Sequence, residues 1–432
     1  MTRTRYLYIE SMTWSLFSAL VYLLFDHFQP MIRLNGGQGW DGTQYFGMFE
    51  YFRHGIFTNY LQSSPLFPFN QRPLGPFLAS FLSAHFSFSP IRSFKTLHIF
   101  SISATSGLLY FIFVKHIGFD RFVSSLALIW LLFNALAYTR LAAFYPFLID
   151  SLAMLALALL LYLVVSNQYI FLPLLTIFSC MIKEQFLAFL IAILAYELFK
   201  VISGRTTERK RLLIVSISVL IDISINYYIR HYVIIAPGSS FYTMLSLGYQ
   251  RFKHPLSFVR YVVSYFMAFG AFGLSLLYYF KRTWNQILQL DSYRLVGLFS
   301  LEFMAFGLLA GSDMDRILWS GFPFLMTMML LATRGLNRRY ILALFLFTVP
   351  LMHLNAAIPQ PSHAWPNNDS DGLYSWMMEY ADPGKVAMWG IYMCITWTLI
   401  GQLRFLNKPT LLNECESAST GANAIDAVTR LF

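Results

Sequence analysis

The sequence predicts an all-α fold, a polytopic transmembrane bundle of about 11 to 13 spans with extracytoplasmic loops. The chain has 432 residues, of which 57% are hydrophobic and only 12% are charged. Its mean hydropathy is +0.55. Many of its apolar runs are about 15 to 22 residues long, close to the length that a helix needs to cross a bilayer. A soluble domain of this size could not bury so much apolar surface, so soluble classes are excluded.

The apolar segments define a predicted transmembrane domain at 1–408, followed by a polar cytoplasmic tail at 409–432. Arg3 and Arg5 precede the first segment, and no small-residue cleavage pattern follows it, so we expect an uncleaved signal anchor. The segments are 11–25, 74–88, 97–114, 122–138, 146–165, 169–181, 186–199, 212–229, 257–280, 295–310, 317–333, 340–354 and 386–404.

The loop Lys200–Arg211 carries five basic residues and is predicted to be cytoplasmic. Segment 74–88 is short and is entered through Pro73 and Pro76, so we expect a partial or interfacial helix rather than a full span. With that assignment most of the other basic clusters also fall on the cytoplasmic side. The net charge of +10 therefore indicates topology rather than nucleic-acid binding.

A second threading stays open, in which 74–88 spans the membrane and 169–199 forms one long helix. It would place Lys183 and Glu184 in the hydrocarbon, at a cost of about 2 to 4 kcal/mol for each charge. The sequence therefore favours a helical hairpin that is broken at this pair.

The favoured threading gathers the unusual polar groups on the extracytoplasmic side, in a first external loop at 26–73 and a late loop at 355–385. The first loop places Gly36, Gly37 and Gly39 before Asp41, so we expect Asp41 on a backbone bend, facing a ligand. Arg72 closes the loop with a permanent cation. A carboxylate and a guanidinium at the two ends of one loop suit a phosphorylated substrate.

Short polar motifs follow one another along the chain up to about Gly335. They are Asp41 with Tyr45 in the first loop, Arg72 before a proline-led helix, Asp150 at the head of an apolar helix, Lys183 and Glu184 in a tight break, and Asp313, Asp315 and Arg316 before an aromatic helix. This order resembles the GT-C superfamily of integral-membrane glycosyltransferases, which includes mannosyltransferases of anchor synthesis and aminoarabinose transferases of lipid A.

The resemblance implies transfer of a sugar from a polyprenyl-phosphate donor to a glycan, lipid or protein acceptor at the outer face of a cell inner membrane. It implies that Asp41 is the catalytic base and that the other motif residues bind substrate. Asp41 is followed by Gly42 rather than by a second acid, so no metal or other cofactor is assigned, although a divalent metal stays possible. The bilayer is the other expected partner, and nucleic acid is not.

Two other function classes stay open, a transporter or flippase of an amphipathic or lipid-linked substrate, and a polysaccharide polymerase or ligase. Structural roles are open as well. Asp41 could cap a turn, and Lys183 could pair only with its neighbour Glu184. His98 is predicted to be a satisfied core histidine. Asp222 lies within an apolar run and must be paired or face a cavity, and the sequence does not identify its partner.

Overall fold

The computed structural model describes residues 2–54, 69–204, 209–232, 249, 253, 255–309, 314–354, 356–361 and 382–403. Within these residues every regular element is helical, which confirms the all-α prediction. Six of the helices are long and apolar enough to cross a membrane, and four shorter apolar helices accompany them. The figure of about 11 to 13 spans stays a prediction.

The helices of the described residues up to 204 form the first half of the bundle. They are α1 (Thr2–Phe28), α2 (Asp41–Arg53), α3 (Leu74–Phe86), α4 (Pro90–Phe111), α5 (Arg121–Phe133), α6 (Tyr138–Phe144), α7 (Asp150–Val165), α8 (Leu172–Ser179) and α9 (Phe186–Ile202). A π-helical turn, Ile112–Ile117, extends α4. Short 3-10 turns at Leu34–Gly37, Phe69–Gln71 and Tyr169–Phe171 precede α2, α3 and α8.

The helices after residue 208 complete the described bundle. They are α10 (Arg209–Tyr232), α11 (Pro255–Tyr278), α12 (Phe280–Ile287), α13 (Asp291–Leu309), α14 (Met314–Ser320), α15 (Phe322–Thr333), α16 (Arg338–Leu346) and α17 (Pro383–Gln402). A 3-10 turn, Val349–Met352, follows α16.

The centre of the bundle is α15, in which every residue is buried. It packs against α7, α11 and α13. By contrast, only 22% of the apolar window of α1 and 33% of that of α10 are buried within the protein. These two helices therefore lie at the periphery, where their exposed apolar faces suit lipid.

Two apolar segments are interrupted where the sequence predicted continuity. In segment 122–138, α5 ends at Phe133 because the Asn134 side-chain oxygen accepts the Leu136 N–H at 2.7 Å, which replaces the helical bonding. Segment 317–333 divides at Gly321, where an added Cβ would lie 2.6 Å from Phe303 Cγ. The first interruption is set by a local side-chain bond and the second by a tertiary contact, and hydrophobic periodicity reports neither.

A group of ion-paired side chains lies where α9, α10 and α13 meet, and we call it the basic-end cluster. Glu197 Oε1 lies 2.7 Å from Arg211 Nη2, and Lys200 Nζ lies 2.8 Å from Asp291 Oδ2. Arg294 Nη1 lies 3.3 Å from Asp291 Oδ1. The cluster consists of Tyr169, Tyr196, Glu197, Lys200, Arg211, Asp291 and Arg294. The predicted cytoplasmic loop Lys200–Arg211 thus joins helices that are tied together by charge.

Candidate functional site

The start of the first external loop is a tight backbone bend. Asn35, Gly36, Gly37 and Gly39 all have positive φ, which is the region that favours glycine. At Gly39 an added Cβ would lie 2.5 Å from Tyr145 Cζ, so no larger residue fits there without rearrangement. The predicted bend therefore exists, but it precedes Asp41.

Asp41 is the first residue of α2, which corrects the expectation that it sits on the bend itself. The Gly42 N–H donates to Tyr145 Oη at 2.9 Å, and an added Cβ on Gly42 would lie 2.8 Å from Phe147 Cβ. This close packing holds the start of α2 against the segment that leads into α7. Asp41 is thereby brought towards Asp150, the first residue of α7.

Arg72 and the break between α8 and α9 are joined through the main chain. The Leu74 N–H donates to Met181 O at 3.1 Å, which fixes the start of α3 beside the break. Within the break the Lys183 N–H donates to Ser179 O at 3.0 Å. Lys183 and Glu184 lie in this turn between two separate helices. The broken hairpin is therefore confirmed, and the single long helix at 169–199 is wrong.

A line of ion pairs joins Asp41 to Lys183. Arg316 Nη2 donates to Asp41 Oδ2 at 3.0 Å, and Arg316 Nε lies 3.5 Å from Asp150 Oδ2. Lys183 Nζ lies 2.6 Å from Asp150 Oδ1. Asp150 is thus shared between two cations that come from distant parts of the chain.

A second group of contacts centres on Arg72. Arg72 Nε and Nη2 donate to the two carboxylate oxygens of Glu184 at 2.9 and 2.7 Å. Arg72 Nη1 donates to Tyr45 Oη at 3.3 Å. This bidentate pair is the strong geometry for guanidinium and carboxylate. Glu184 therefore pairs with Arg72, and Lys183 pairs with Asp150. The interpretation in which Lys183 pairs only with Glu184 is wrong.

We call these residues together the site cluster. Its carboxylates differ in exposure, with side chains that are 26% exposed for Asp41, 24% for Glu184 and only 6% for Asp150. Asp41 and Glu184 are thus far more accessible than Asp150. The three cations of the cluster match its three carboxylates in charge. The members of the site cluster are Asp41, Tyr45, Arg72, Asp150, Lys183, Glu184 and Arg316.

The pairing shifts the acid–base properties of the Arg72 group. Burial by itself raises the pKa of Glu184, but the charge and hydrogen bonds of Arg72 outweigh it and hold that pKa below its usual value. Burial lowers the pKa of Arg72, whereas Glu184 and Tyr45 raise it, and the net shift is upward. Burial raises the pKa of Tyr45, and Arg72 opposes this shift in part. Glu184 and Arg72 are therefore charged, and Tyr45 is a neutral phenol.

Several residues behind the site cluster hold it in place. His98 Nδ1 lies 2.7 Å from Ser151 Oγ, and His98 Nε2 lies 2.7 Å from Pro146 O. The prediction that this histidine is satisfied is confirmed, and its contacts fix the start of α7. Tyr138 Oη lies 2.6 Å from Ser320 Oγ, one turn along α14 from Arg316.

Sequence reasoning missed Tyr138 and Tyr145 as partners of this site. Their one local signal is position, because both lie in the short aromatic stretch that precedes Asp150. Aromatic residues are so common in this chain that composition alone could not select them.

A narrow crevice with a volume of about 10 Å³, room for about one water molecule, lies beside Lys183 in the interior of the bundle. Ala153 and Ala156 of α7 leave this space because their side chains are small. Its other lining residues are Leu157, Ser179, Ile182, Gln185, Phe186 and Phe189. The crevice therefore has a cationic mouth and largely apolar walls.

The late loop begins beside the start of the first loop. Gln29 Nε2 donates to Ile358 O at 3.2 Å, and the Ile358 N–H donates back to Gln29 Oε1 at 2.7 Å. The Arg33 N–H donates to Gln360 Oε1 at 2.9 Å. These contacts fix 356–361 against the chain that leads to Asp41.

Two of the predicted substrate-binding residues cannot be assigned a contact. Asp313 lies outside the described residues, and Asp315 is described only as a backbone position in α14. Most of the late loop and the tail at 409–432 also lie outside the described residues. Within the part of the chain that the structure describes, no group of three or more His, Cys, Asp or Glu side chains could hold a metal ion.

Comparison with known proteins gives no match, either to a protein-family model or to a curated protein. The likeness to GT-C glycosyltransferases therefore stays a prediction that rests on the motifs and on the geometry of the site cluster.

Proposed function

We propose that this protein is an integral-membrane glycosyltransferase of the GT-C type, which moves a sugar from a polyprenyl-phosphate donor to an acceptor hydroxyl. One observation carries the proposal. Residues from five separate motifs come together in the site cluster. They are Asp41, Arg72, Asp150, Lys183 with Glu184 of the broken hairpin, and Arg316. Lipid-phosphate sugar transfer needs an acid at the acceptor and fixed cations at the leaving phosphate.

The proposed step is a single displacement at the anomeric carbon. Asp41 takes the proton of the acceptor hydroxyl as its oxygen forms the new bond to the anomeric carbon. The bond from that carbon to the phosphate oxygen breaks, and polyprenyl phosphate leaves with the electron pair. The products are the glycosylated acceptor, polyprenyl phosphate and a proton on Asp41. Inversion at the anomeric carbon follows from this single step.

The pairing within the site cluster suggests how the donor is received. Arg316 contacts both Asp41 and Asp150, with the longer distance, 3.5 Å, to Asp150. A donor phosphate competes for Arg316 and Lys183, because phosphate is a strong hydrogen-bond acceptor for both. As Arg316 turns to the phosphate, Asp41 is released to meet the acceptor.

The location of the two ionic clusters supports an extracytoplasmic site. Basic residues are concentrated in cytoplasmic loops, and the loop Lys200–Arg211 joins the helices of the basic-end cluster. The site cluster lies at the opposite ends of α7 and α9. This placement supports the proposal that the chemistry faces the outer side of a cell inner membrane. It also favours an enzyme over a transporter, whose substrate site lies near mid-depth.

The test is sugar transfer by purified, reconstituted protein supplied with labelled polyprenyl-phosphate sugars and an acceptor extract. We expect Asp41→Asn to lower transfer by about 10² to 10⁴-fold, the usual contribution of a general base. Asp120→Asn is the matched control, because Asp120 pairs with Arg338 outside the site cluster. Unchanged transfer in Asp41→Asn would remove Asp41 from the catalytic role.

A further inference from the structure

An acidic side chain that is not a member of the site cluster lies inside the membrane-spanning part of α10. Asp222 follows Arg209 by thirteen positions, which places it about 20 Å along the helix axis. The span of α10 runs from Arg209 to Ile229, so Asp222 lies well inside it. Its side chain is fully buried. A buried acid in a membrane span is by default a candidate for function.

Among the described residues, the side chain of Asp222 is hydrogen-bonded only to Asn226, one turn further along the same helix. Asn226 Nδ2 donates to Asp222 Oδ1 at 2.6 Å and to the Asp222 carbonyl at 3.1 Å. Among the described residues, no Lys, Arg or His nitrogen forms an ion pair with Asp222 within the 4.0 Å limit for such pairs. A carboxylate buried in an apolar span without a cation is costly, and it becomes favourable when it binds a proton.

Two oxygen atoms in this pair need a donor. Asp222 Oδ2 and Asn226 Oδ1 are both buried, and neither has a hydrogen-bond partner in the described part of the chain. Both atoms are acceptors when Asp222 is ionised, so the ionised pair cannot satisfy them. A proton on the carboxyl group converts one of the two acceptors into a donor.

Titratable groups occur on several of the described elements that pack against α10. Cys180, directly after α8, is close enough to feel the charge of Asp222. Helix α9 and the 3-10 turns Tyr169–Phe171 and Phe69–Gln71 also pack against α10. The first two add Tyr169, Tyr196, Glu197 and Lys200, which belong to the basic-end cluster at the other end of α10. The turn Phe69–Gln71 precedes Arg72, whose guanidinium pairs with Glu184.

We propose that Asp222 and Asn226 form a proton-binding site within the membrane, which holds a proton at rest and exchanges it with the medium. The site is independent of the glycosyltransferase proposal, because it shares no residue with the site cluster. It gives the protein a protonation step inside the bilayer that the proposed transfer reaction does not require.

The test uses dicyclohexylcarbodiimide, an apolar reagent that adds the O–H of a protonated carboxylic acid across its C=N bond. The full chain in lipid nanodiscs is treated across a range of pH, and labelling at Asp222 is measured by peptide mass spectrometry. We expect labelling at acidic and neutral pH that falls as the pH rises. Asp222→Asn should lose this label, while other labelled peptides are unchanged.

Asn226→Leu separates a proton site from a merely structural pair. The amide of Asn226 donates to the Asp222 carboxylate and so favours the charged form. Its removal should extend the labelling of Asp222 to higher pH, whereas a structural role predicts the same pH profile. An unchanged profile would contradict the proposal.

Two further outcomes would overturn the assignment. Absence of label on Asp222 at every pH would show that its carboxyl group carries no exchangeable proton. Suppression of the label by sodium chloride at fixed pH, but not by choline chloride, would instead assign the site to sodium.

Discussion

The site cluster and the basic-end cluster contain the same kinds of side chain and lie beside opposite ends of α7 and α9, with Tyr169 in the turn that follows α7. α7 and α9 contain 16 and 17 residues, so the clusters are separated by roughly 24 Å along these helices. In the basic-end cluster Glu197 is fully buried, between Lys200 and Arg211. In the site cluster Asp41 and Glu184 are about one quarter exposed.

The backbone that carries each cluster also differs. Glu197 and Lys200 lie within α9, and Arg211 lies within α10, so their contacts tie regular helices to one another. In the site cluster, Arg72, Lys183 and Glu184 lie in short non-helical connections between helices. Buried ion pairs between helices fix an arrangement, whereas partly exposed groups on such connections remain accessible to a ligand. We therefore expect mutations at the basic end to reduce stability and mutations in the site cluster to reduce activity.

The largest expected effect is that of Asp41→Asn on sugar transfer. A loss of about 10² to 10⁴-fold corresponds to removal of a general base. The thermal unfolding midpoint should change little, because Asp41 is partly exposed and its amide replacement still accepts a hydrogen bond from Arg316. The distinction between the two clusters would be contradicted if Asp41→Asn lowered the unfolding midpoint strongly and left the transfer rate per folded molecule unchanged.

Glu197→Gln should have the opposite pattern. Removing one partner of a buried ion pair costs about 3 to 5 kcal/mol, because the remaining charges stay buried without compensation. The free energy of unfolding should fall by that amount, as measured by denaturation in detergent, while transfer per folded molecule is retained. Asp291→Asn is the matched control with a smaller loss, since Asp291 is 41% exposed. Equal stability of Glu197→Gln and wild type would show that this cluster does not hold the helices.

Arg72→Lys tests whether geometry or charge matters in the site cluster. Lysine keeps the charge but cannot reproduce the bidentate contact with Glu184. Loss of a charged hydrogen bond costs about 1.5 to 3 kcal/mol, so transfer should fall by roughly tenfold or more. Arg338→Lys, at an exposed pair, is the control. Full activity in Arg72→Lys would show that Arg72 contributes only its positive charge and not its bidentate geometry.

The pH dependence of stability offers a smaller effect. Arg72 lowers the pKa of Glu184 below its ordinary value of 4.5. This pair therefore contributes stability that is present above that value and is lost as the pH falls through the lower pKa of the folded state. Glu184→Gln should lower the unfolding midpoint near neutral pH, where the pair contributes, and the two proteins should converge as the pH falls through this acidic window. A difference between the two proteins that stays the same at acidic pH would contradict this origin.

The smallest effect is expected at Asp120, which pairs with Arg338 at 2.6 Å near the protein surface. Exposed ion pairs contribute about 0 to 1 kcal/mol. Asp120→Asn should therefore leave the unfolding midpoint and sugar transfer almost unchanged. A loss of stability comparable with that of Glu197→Gln would show that exposure does not determine how much each ion pair contributes to stability.

The sequence predicted the membership of the site better than it predicted which residues pair with each other. Turn chemistry and the order of motifs indicated that Asp41, Arg72 and Lys183 belong to one site. The partners depend on how distant segments pack, so Arg72 with Glu184 and Lys183 with Asp150 could not be foreseen. For the same reason, the helix that begins at Asp41 was expected to be a loop.

The central claim is that the site cluster binds the phosphate of a lipid-linked donor, and it can be tested without knowing the sugar or the acceptor. The measurement is the thermal unfolding midpoint of the purified protein with and without polyprenyl phosphate, because a ligand that binds the folded state raises it. We predict a higher midpoint for wild type and for Glu197→Gln, and no increase for Lys183→Met. An equal increase in Lys183→Met, or none in wild type, would contradict the account.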